Sequence, residues 1–240
     1  MTLDEFVKNN TNIISLNVYF EALSEDDIIN ICNLAKNNKF KNISTTERFI
    51  DAIWKNTEKE NISNSVILDN FDNDFSNEEL FKNIKNLCAK GVSSIEYIPQ
   101  KDISIEELDK SIEMMAKAKF KRVSLFVVLE NHLFENNKHI KNIIESIILN
   151  KNVAGIKISS GSKNENADSF MFNIAIDVLN SSERFDFKID TSLNIYDSGK
   201  FLEADNVQRL ANLVLGDEWA ENNLIISFSY DLFKRDIISL

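Results

Sequence analysis

The chain has 240 residues, 43% of them hydrophobic, which is enough for one large core or two small ones. A net charge of −11 and a pI near 4.8, with lysines dispersed among Asp and Glu, argue against a nucleic-acid partner, which needs clustered basic residues on one surface. No run of ~18 or more uncharged apolar residues is present to span a bilayer, and residues 1–10 lack the basic and apolar regions of a signal peptide. A cytoplasmic protein with no membrane partner is therefore expected.

Taken in chain order, apolar runs rich in β-branched and aromatic residues alternate with helical patterns. Strands are expected at Ile13–Val18, Asn42–Thr45, Ser65–Asp69, Ser94–Ile98, Arg122–Leu129, Gly155–Ile158, Phe185–Asp190 and Leu224–Phe228. Amphipathic stretches lie between them, such as 77–90 with Leu80, Phe81, Ile84, Leu87 and Cys88 on one face, and 168–179 with Phe172, Ala175, Ile176 and Leu179. Ser76 with Glu79 and Ser104 with Glu107 have the spacing of capping boxes at helix starts. Eight strands, each followed by a helix, in a chain near ~250 residues predict an α/β protein, a (β/α)8 barrel forming a single domain over residues 1–240. The single proline and five glycines leave turns and caps to the many asparagines. Cys32 and Cys88 both fall on helical patterns, and core packing is their expected role.

Two lysines stand where lysine is least at home. Lys157 lies in the run Gly155-Ile156-Lys157-Ile158-Ser159 and Lys188 in Phe185-Asp186-Phe187-Lys188-Ile189-Asp190, both read as strand interiors. An ammonium desolvated there must be paired, neutralised or used chemically. Side chains alternate along a strand, so Lys157 with Ser159, and Lys188 with Asp190, can point into the barrel while Ile156, Ile158, Phe187 and Ile189 face the helices. Glu96 on the fourth strand adds a carboxylate. Two readings of this trio stay open on spacing. One is amine catalysis, in which a second cation lowers the pKa of a nucleophilic lysine and the carboxylate shuttles protons. The other is a buried ion-paired network in which Glu96 neutralises a lysine.

From about Ile13 to Phe233 the chain resembles the deoxyribose-phosphate aldolases, class I aldolases with a (β/α)8 fold. Lys157-Ile158-Ser159-Ser160-Gly161 resembles the family's Lys-Thr-Ser-Thr-Gly on strand six, and Asp186-Phe187-Lys188 its Gly-Phe-Lys on strand seven. Leu215-Gly216-Asp217-Glu218-Trp219-Ala220 is similar to its Phe-Gly-Ala-Asp-Trp-Ala, and Gly91-Val92-Ser93-Ser94-Ile95-Glu96 stands where the family has Gly-Ala-Asp-Glu-Val-Asp. The resemblance implies Lys157 as the Schiff-base lysine, Lys188 as the residue depressing its pKa, and Glu96 in place of the proton-managing aspartate. The implied reaction cleaves 2-deoxyribose 5-phosphate to glyceraldehyde 3-phosphate and acetaldehyde, in deoxyribonucleotide breakdown, with no cofactor. It also implies a small aldehyde or sugar-phosphate substrate, and a homodimer is one expected assembly. Phosphate contacts are expected from Gly161, Ser162, Lys163, Thr191, Ser192 and Ser229.

The phosphate motifs depart from the family pattern. Thr191-Ser192 replaces Gly-Gly, Ser229-Tyr230-Asp231-Leu232 replaces Gly-x-Ser-Ser, Asn17 replaces an aspartate, Ser44 a cysteine and Phe126 a lysine. Asp190, two residues from Lys188, could pair with it. A second functional class therefore stands beside the first: an aldolase-like barrel whose catalysis is impaired and which binds or regulates. An aldolase for a different, non-phosphorylated substrate is the further alternative. His132 and His139 lack partners at metal-ligand spacing, and 69–74 lacks the glycine and terminal glutamate of a calcium loop, so no metal is expected.

Overall fold

The computed structural model describes residues 3–19, 23–68, 77–130, 137–159, 165–193 and 201–234. Eight strands, β1 (Ile14–Val18), β2 (Asn42–Thr46), β3 (Ser63–Leu68), β4 (Ser94–Tyr97), β5 (Ser124–Glu130), β6 (Gly155–Ser159), β7 (Lys188–Leu193) and β8 (Leu224–Ser229), pair in parallel and in sequence order. The barrel closes where β8 pairs with β1, Ile226 against Ile14. Around it run α1 (Leu3–Asn9), α2 (Glu25–Asn37), α3 (Ile50–Thr57), α4 (Asn77–Ala89), α5 (Ile105–Ala118), α6 (Asn137–Leu149), α7 (Glu165–Ser181), α8 (Phe201–Leu215), α9 (Asp217–Asn223) and α10 (Asp231–Lys234). The expected (β/α)8 architecture is thus the one observed. No helix among the described residues is long and apolar enough to cross a membrane.

The main core lies between strands and helices. Leu16 and Val18, Ile156 and Ile158, Ile189, and Ile226 with Phe228 supply the strand side, and Ile28, Ile84, Ile112, Ile144 and Phe172 are among the helix residues packed with them. Cys32 and Cys88 are buried in this layer as free thiols. Ser104 and Glu107 form the expected capping box at α5. A second box at α2 uses Asp27 in the position usually held by Glu or Gln, with Ser24 Oγ accepting from Asp27 N. Ser76, half of the other expected box, lies outside the described residues.

The other face of most strands is unlike the branched apolar filling common in such barrels, although β5 presents Phe126 and Val128 there. Ser15, Asn17, Asn42, Ser44, Ser65, Ser94, Glu96, Lys157, Asp190 and Ser227 are all buried there. The lower layer is a chain of hydroxyls and amides: Asn42 Nδ2 donates to Ser15 Oγ at 3.1 Å, Ser65 Oγ donates to Asn42 Oδ1 at 3.0 Å, and Ser65 and Ser94 share a 2.6 Å hydrogen bond. Such groups are tolerable in a dry interior only because they bond one another.

One strand differs from expectation in a way that matters for the site. Only the second half of the run 185–190 lies in β7, which begins three residues later than expected, at Lys188. Arg184 donates to the carbonyls of Ile148, Asn150 and Val153 at 3.1, 3.1 and 2.9 Å, and Phe187 N bonds back to Arg184 O. These bonds fix residues 184–187 as a turn beneath the sheet, with Phe185 69% exposed.

Candidate active site

The neighbours of Lys157 are delivered by several walls of the barrel. Lys157 is the third residue of β6, paired in register with Asp190 of β7, so both side chains enter the lumen at one level. Its side chain is 1% exposed. Nζ donates to Asn17 Oδ1 from β1 at 2.8 Å, to the Tyr19 hydroxyl just beyond β1 at 2.8 Å, and to Glu96 Oε2 from β4 at 3.0 Å. Asp190 Oδ2 lies 3.4 Å away, and its other oxygen accepts from Ser227 Oγ of β8 at 2.6 Å. The Tyr19 hydroxyl in turn contacts Glu96 Oε2 at 3.0 Å and Ser44 Oγ of β2 at 2.9 Å.

The electrostatics follow from that inventory. Burial alone would pull the Lys157 ammonium down, but Asp190, then Glu96 and Tyr19, outweigh it and hold Lys157 well above the ordinary lysine value. Asp190 is raised, by burial first and by the Glu96 charge, against the opposing pull of Lys157 and the Ser227 hydrogen bond. The Tyr19 hydroxyl is pushed up by burial and by Glu96. One ammonium facing two buried carboxylates favours a proton kept within the cluster. The arrangement can hold a charged lysine and can pass its proton to either carboxylate over a single hydrogen-bond length.

The expected roles are redistributed by this geometry. Lys188 opens β7 opposite Gly155, two residues below the Lys157–Asp190 pair. The lumen-facing cation expected to lower Lys157 is therefore one layer away, and the nearest charged groups are acidic. Asp190, expected as a partner for Lys188, instead pairs with Lys157. Thr191 falls on the opposite face of β7 from Asp190, where its buried hydroxyl has no hydrogen-bond partner among the described residues. Ser229 ends β8 opposite Asn17. The backbone of Ser192 pairs with Ser159 and Ser227. Gly161, Ser162 and Lys163, like His132 and residues 69–74, lie outside the described residues. His139 Nε2 sits 3.0 Å from Ile103 O, and no group of metal-ligating side chains occurs among the described residues.

Three members of the cluster were missed as participants by the sequence reading: Asn17, Tyr19 and Ser227. A signal existed for the first two, because Ser15-Leu16-Asn17-Val18-Tyr19 alternates polar and apolar side chains and so places Ser15, Asn17 and Tyr19 together.

No family model matches the sequence, and no curated protein matches it. Among solved structures, a Toxoplasma gondii ME49 protein assigned as a deoxyribose-phosphate aldolase superposes with a TM-score of 0.74 at 12% identity, over 96% of this chain and 93% of that one. Deoxyribose phosphate aldolase from Aeropyrum pernix, a tetramer, gives 0.69 at 16% identity, over 95% and 92%. A monomeric variant of dihydrodipicolinate synthase gives 0.63 at 11% identity, over 95% and 73%. The barrel fold of this chain is therefore the fold that these aldolase-type proteins have.

Proposed function

We propose that the protein is a divergent class I aldolase, a carbon-carbon lyase that forms a Schiff base at Lys157 and acts on a small hydroxyaldehyde of the 2-deoxyribose 5-phosphate class. The observation that carries this reading is a fully buried lysine within 3.0 Å and 3.4 Å of two carboxylates, inside an aldolase-type barrel. The substrate carbonyl approaches as Lys157 passes a proton to Glu96 or Asp190, and the free amine attacks the carbonyl carbon. The carbinolamine then loses its oxygen as water, with that proton returned, leaving an iminium. Glu96 takes the proton of the substrate's C3 hydroxyl as the C2–C3 bond breaks, and the bonding electrons run into the iminium to give an enamine. The first aldehyde departs. Protonation of the enamine carbon and hydrolysis release acetaldehyde and restore the lysine. No cofactor enters the sequence, and a cytoplasmic homodimer is the setting that goes with it.

A specific observation favours a second reading, a barrel that binds or regulates without catalysis. Lys157 Nζ has four acceptor groups within 3.4 Å and is held as an ammonium, as a purely structural ion network would hold it. Reductive trapping separates the two. Incubation with acetaldehyde or 2-deoxyribose 5-phosphate and borohydride, followed by peptide mass mapping, is expected to place the adduct on Lys157. No adduct at Lys157 anywhere from neutral to alkaline pH sinks the enzyme reading and leaves the second.

A further inference from the structure

The lumen has a second mouth, at the N-terminal ends of the strands. A cavity of about 90 Å³ opens there, lined by Lys41, Ser63, Ser93, Ser124 and Lys188 at its rim, with Ser65, Ser94, Glu96 and Asp190 among its inner walls. Its space exists because the barrel is built small at this level. Serines stand where branched side chains usually fill such a layer, beside Phe126 and Ile225, while the space at Gly155 is taken up by Lys188 and Phe126. A Cβ on Gly155 would come within 2.6 Å of both Lys188 O and Phe126 Cε1.

The charges at this mouth are unusual for the chain. Lys41 and Lys188 are half-buried, and neither forms an ion pair with a carboxylate among the described residues, although the whole chain carries a net charge of −11. Burial and then the nearby Lys188 charge lower the Lys41 ammonium, with Asp190 opposing. Glu96 and Asp190, the carboxylates deeper in the cavity, are already engaged by Lys157. Lys41, Lys188 and Lys157 against Glu96 and Asp190 leave one positive charge in excess. Hydroxyls complete the mouth. Ser93 Oγ accepts from Asn64 N at 3.4 Å, which leaves its own proton to donate, and the Ser63 and Ser124 hydroxyls have no partner among the described residues. Two like charges held together in a partly desolvated, donor-lined crevice are stabilised by an anion.

We propose that this N-terminal mouth is a binding site for a small tetrahedral oxyanion, phosphate or sulfate, held between Lys41 and Lys188 with serine hydroxyls as additional donors. A cavity of about 90 Å³ has room for such an ion. The inference is independent of the aldolase reading, and it gives Lys188 a role that its position one layer below Lys157 does not otherwise explain.

Titration of the full chain with inorganic phosphate, followed by amide chemical shifts and calorimetry against chloride at matched ionic strength, tests it. Saturable binding is expected, weakened about tenfold or more in Lys41→Met and in Lys188→Met, as one charge-assisted hydrogen bond is lost in each. The Lys188→Arg variant is expected to retain it, and this arm separates loss of charge from loss of fold. Absence of saturable phosphate binding in the unaltered protein overturns the proposal. So does equal affinity in the unaltered protein and in folded Lys41→Met and Lys188→Met.

Discussion

Replacing Lys157 with Met keeps the length and much of the volume of the side chain but removes the ammonium between Glu96 and Asp190. At 3.0 and 3.4 Å, and at an effective dielectric constant near ~20, each attraction is worth roughly 5 kcal/mol. Most of that is offset because the variant no longer desolvates an ammonium, a cost of several kcal/mol. What persists is two buried carboxylates without a counter-ion, and Lys157→Met is expected to lose about 3–5 kcal/mol of stability at neutral pH. The pH dependence gives the sharper test. Asp190 is already raised by burial, and without Lys157 it rises further. Above the unfolded aspartate value of about 3.9, the folded variant keeps a proton that the unfolded chain releases. Its stability therefore falls as pH rises through that window and recovers on acidification, by up to ~1.4 kcal/mol per pH unit for one proton. In the unaltered protein, Lys157 is raised above the lysine value, so its stabilisation is complete below that value and is lost as pH rises through the folded one. Urea unfolding followed by circular dichroism, from mildly acidic to alkaline buffers, should show the gap between the two proteins narrowing at both ends. Equal stability at neutral pH, or a gap that ignores pH, refutes the electrostatic account.

Two other substitutions probe neighbouring features. In Asp190→Asn, burial continues to oppose the ammonium while one of its two supporting carboxylates is gone, so Lys157 moves down and the pH midpoint of cyanoborohydride trapping should shift to lower pH; an unmoved midpoint removes Asp190 from the account. Gly155→Ala drives a methyl against Lys188 O and Phe126, and a loss of about 1–3 kcal/mol in urea unfolding is expected, whereas wild-type stability would mean that β6 and β7 are less closely apposed than the structure has them.

The barrel itself was legible because its signal is periodic and repeated eight times: apolar residues face the helices on one side of every strand, whatever occupies the other. The site was legible in part. Lys157 and Glu96 stand out as charges within strand patterns, and alternation places both in the lumen. The pairing was not, because it depends on register, and register in a parallel barrel is set by contacts far apart in sequence. Phe185-Asp186-Phe187 has the composition of a strand, yet Arg184, tied to three carbonyls around the end of α6, holds it as a turn. That displacement makes Lys188 the first residue of β7 and brings Asp190 to Lys157. Ser227 carried no signal of its own, since a serine in an apolar strand becomes informative only when the neighbouring carboxylate is known.

Of the groups bonded to Lys157 Nζ, Tyr19 alone is carried outside a strand; Asn17, Glu96 and Asp190 are fixed by the hydrogen-bonded ladder. The residue is 39% exposed even though its hydroxyl reaches the buried cluster. A rotamer change in this one side chain is enough to withdraw both an acceptor from the lysine and a donor from Glu96. The barrel thus separates two kinds of constraint at one atom: the charge balance around Lys157 is set by strand residues, while its count of hydrogen bonds also depends on a side chain carried beyond the sheet.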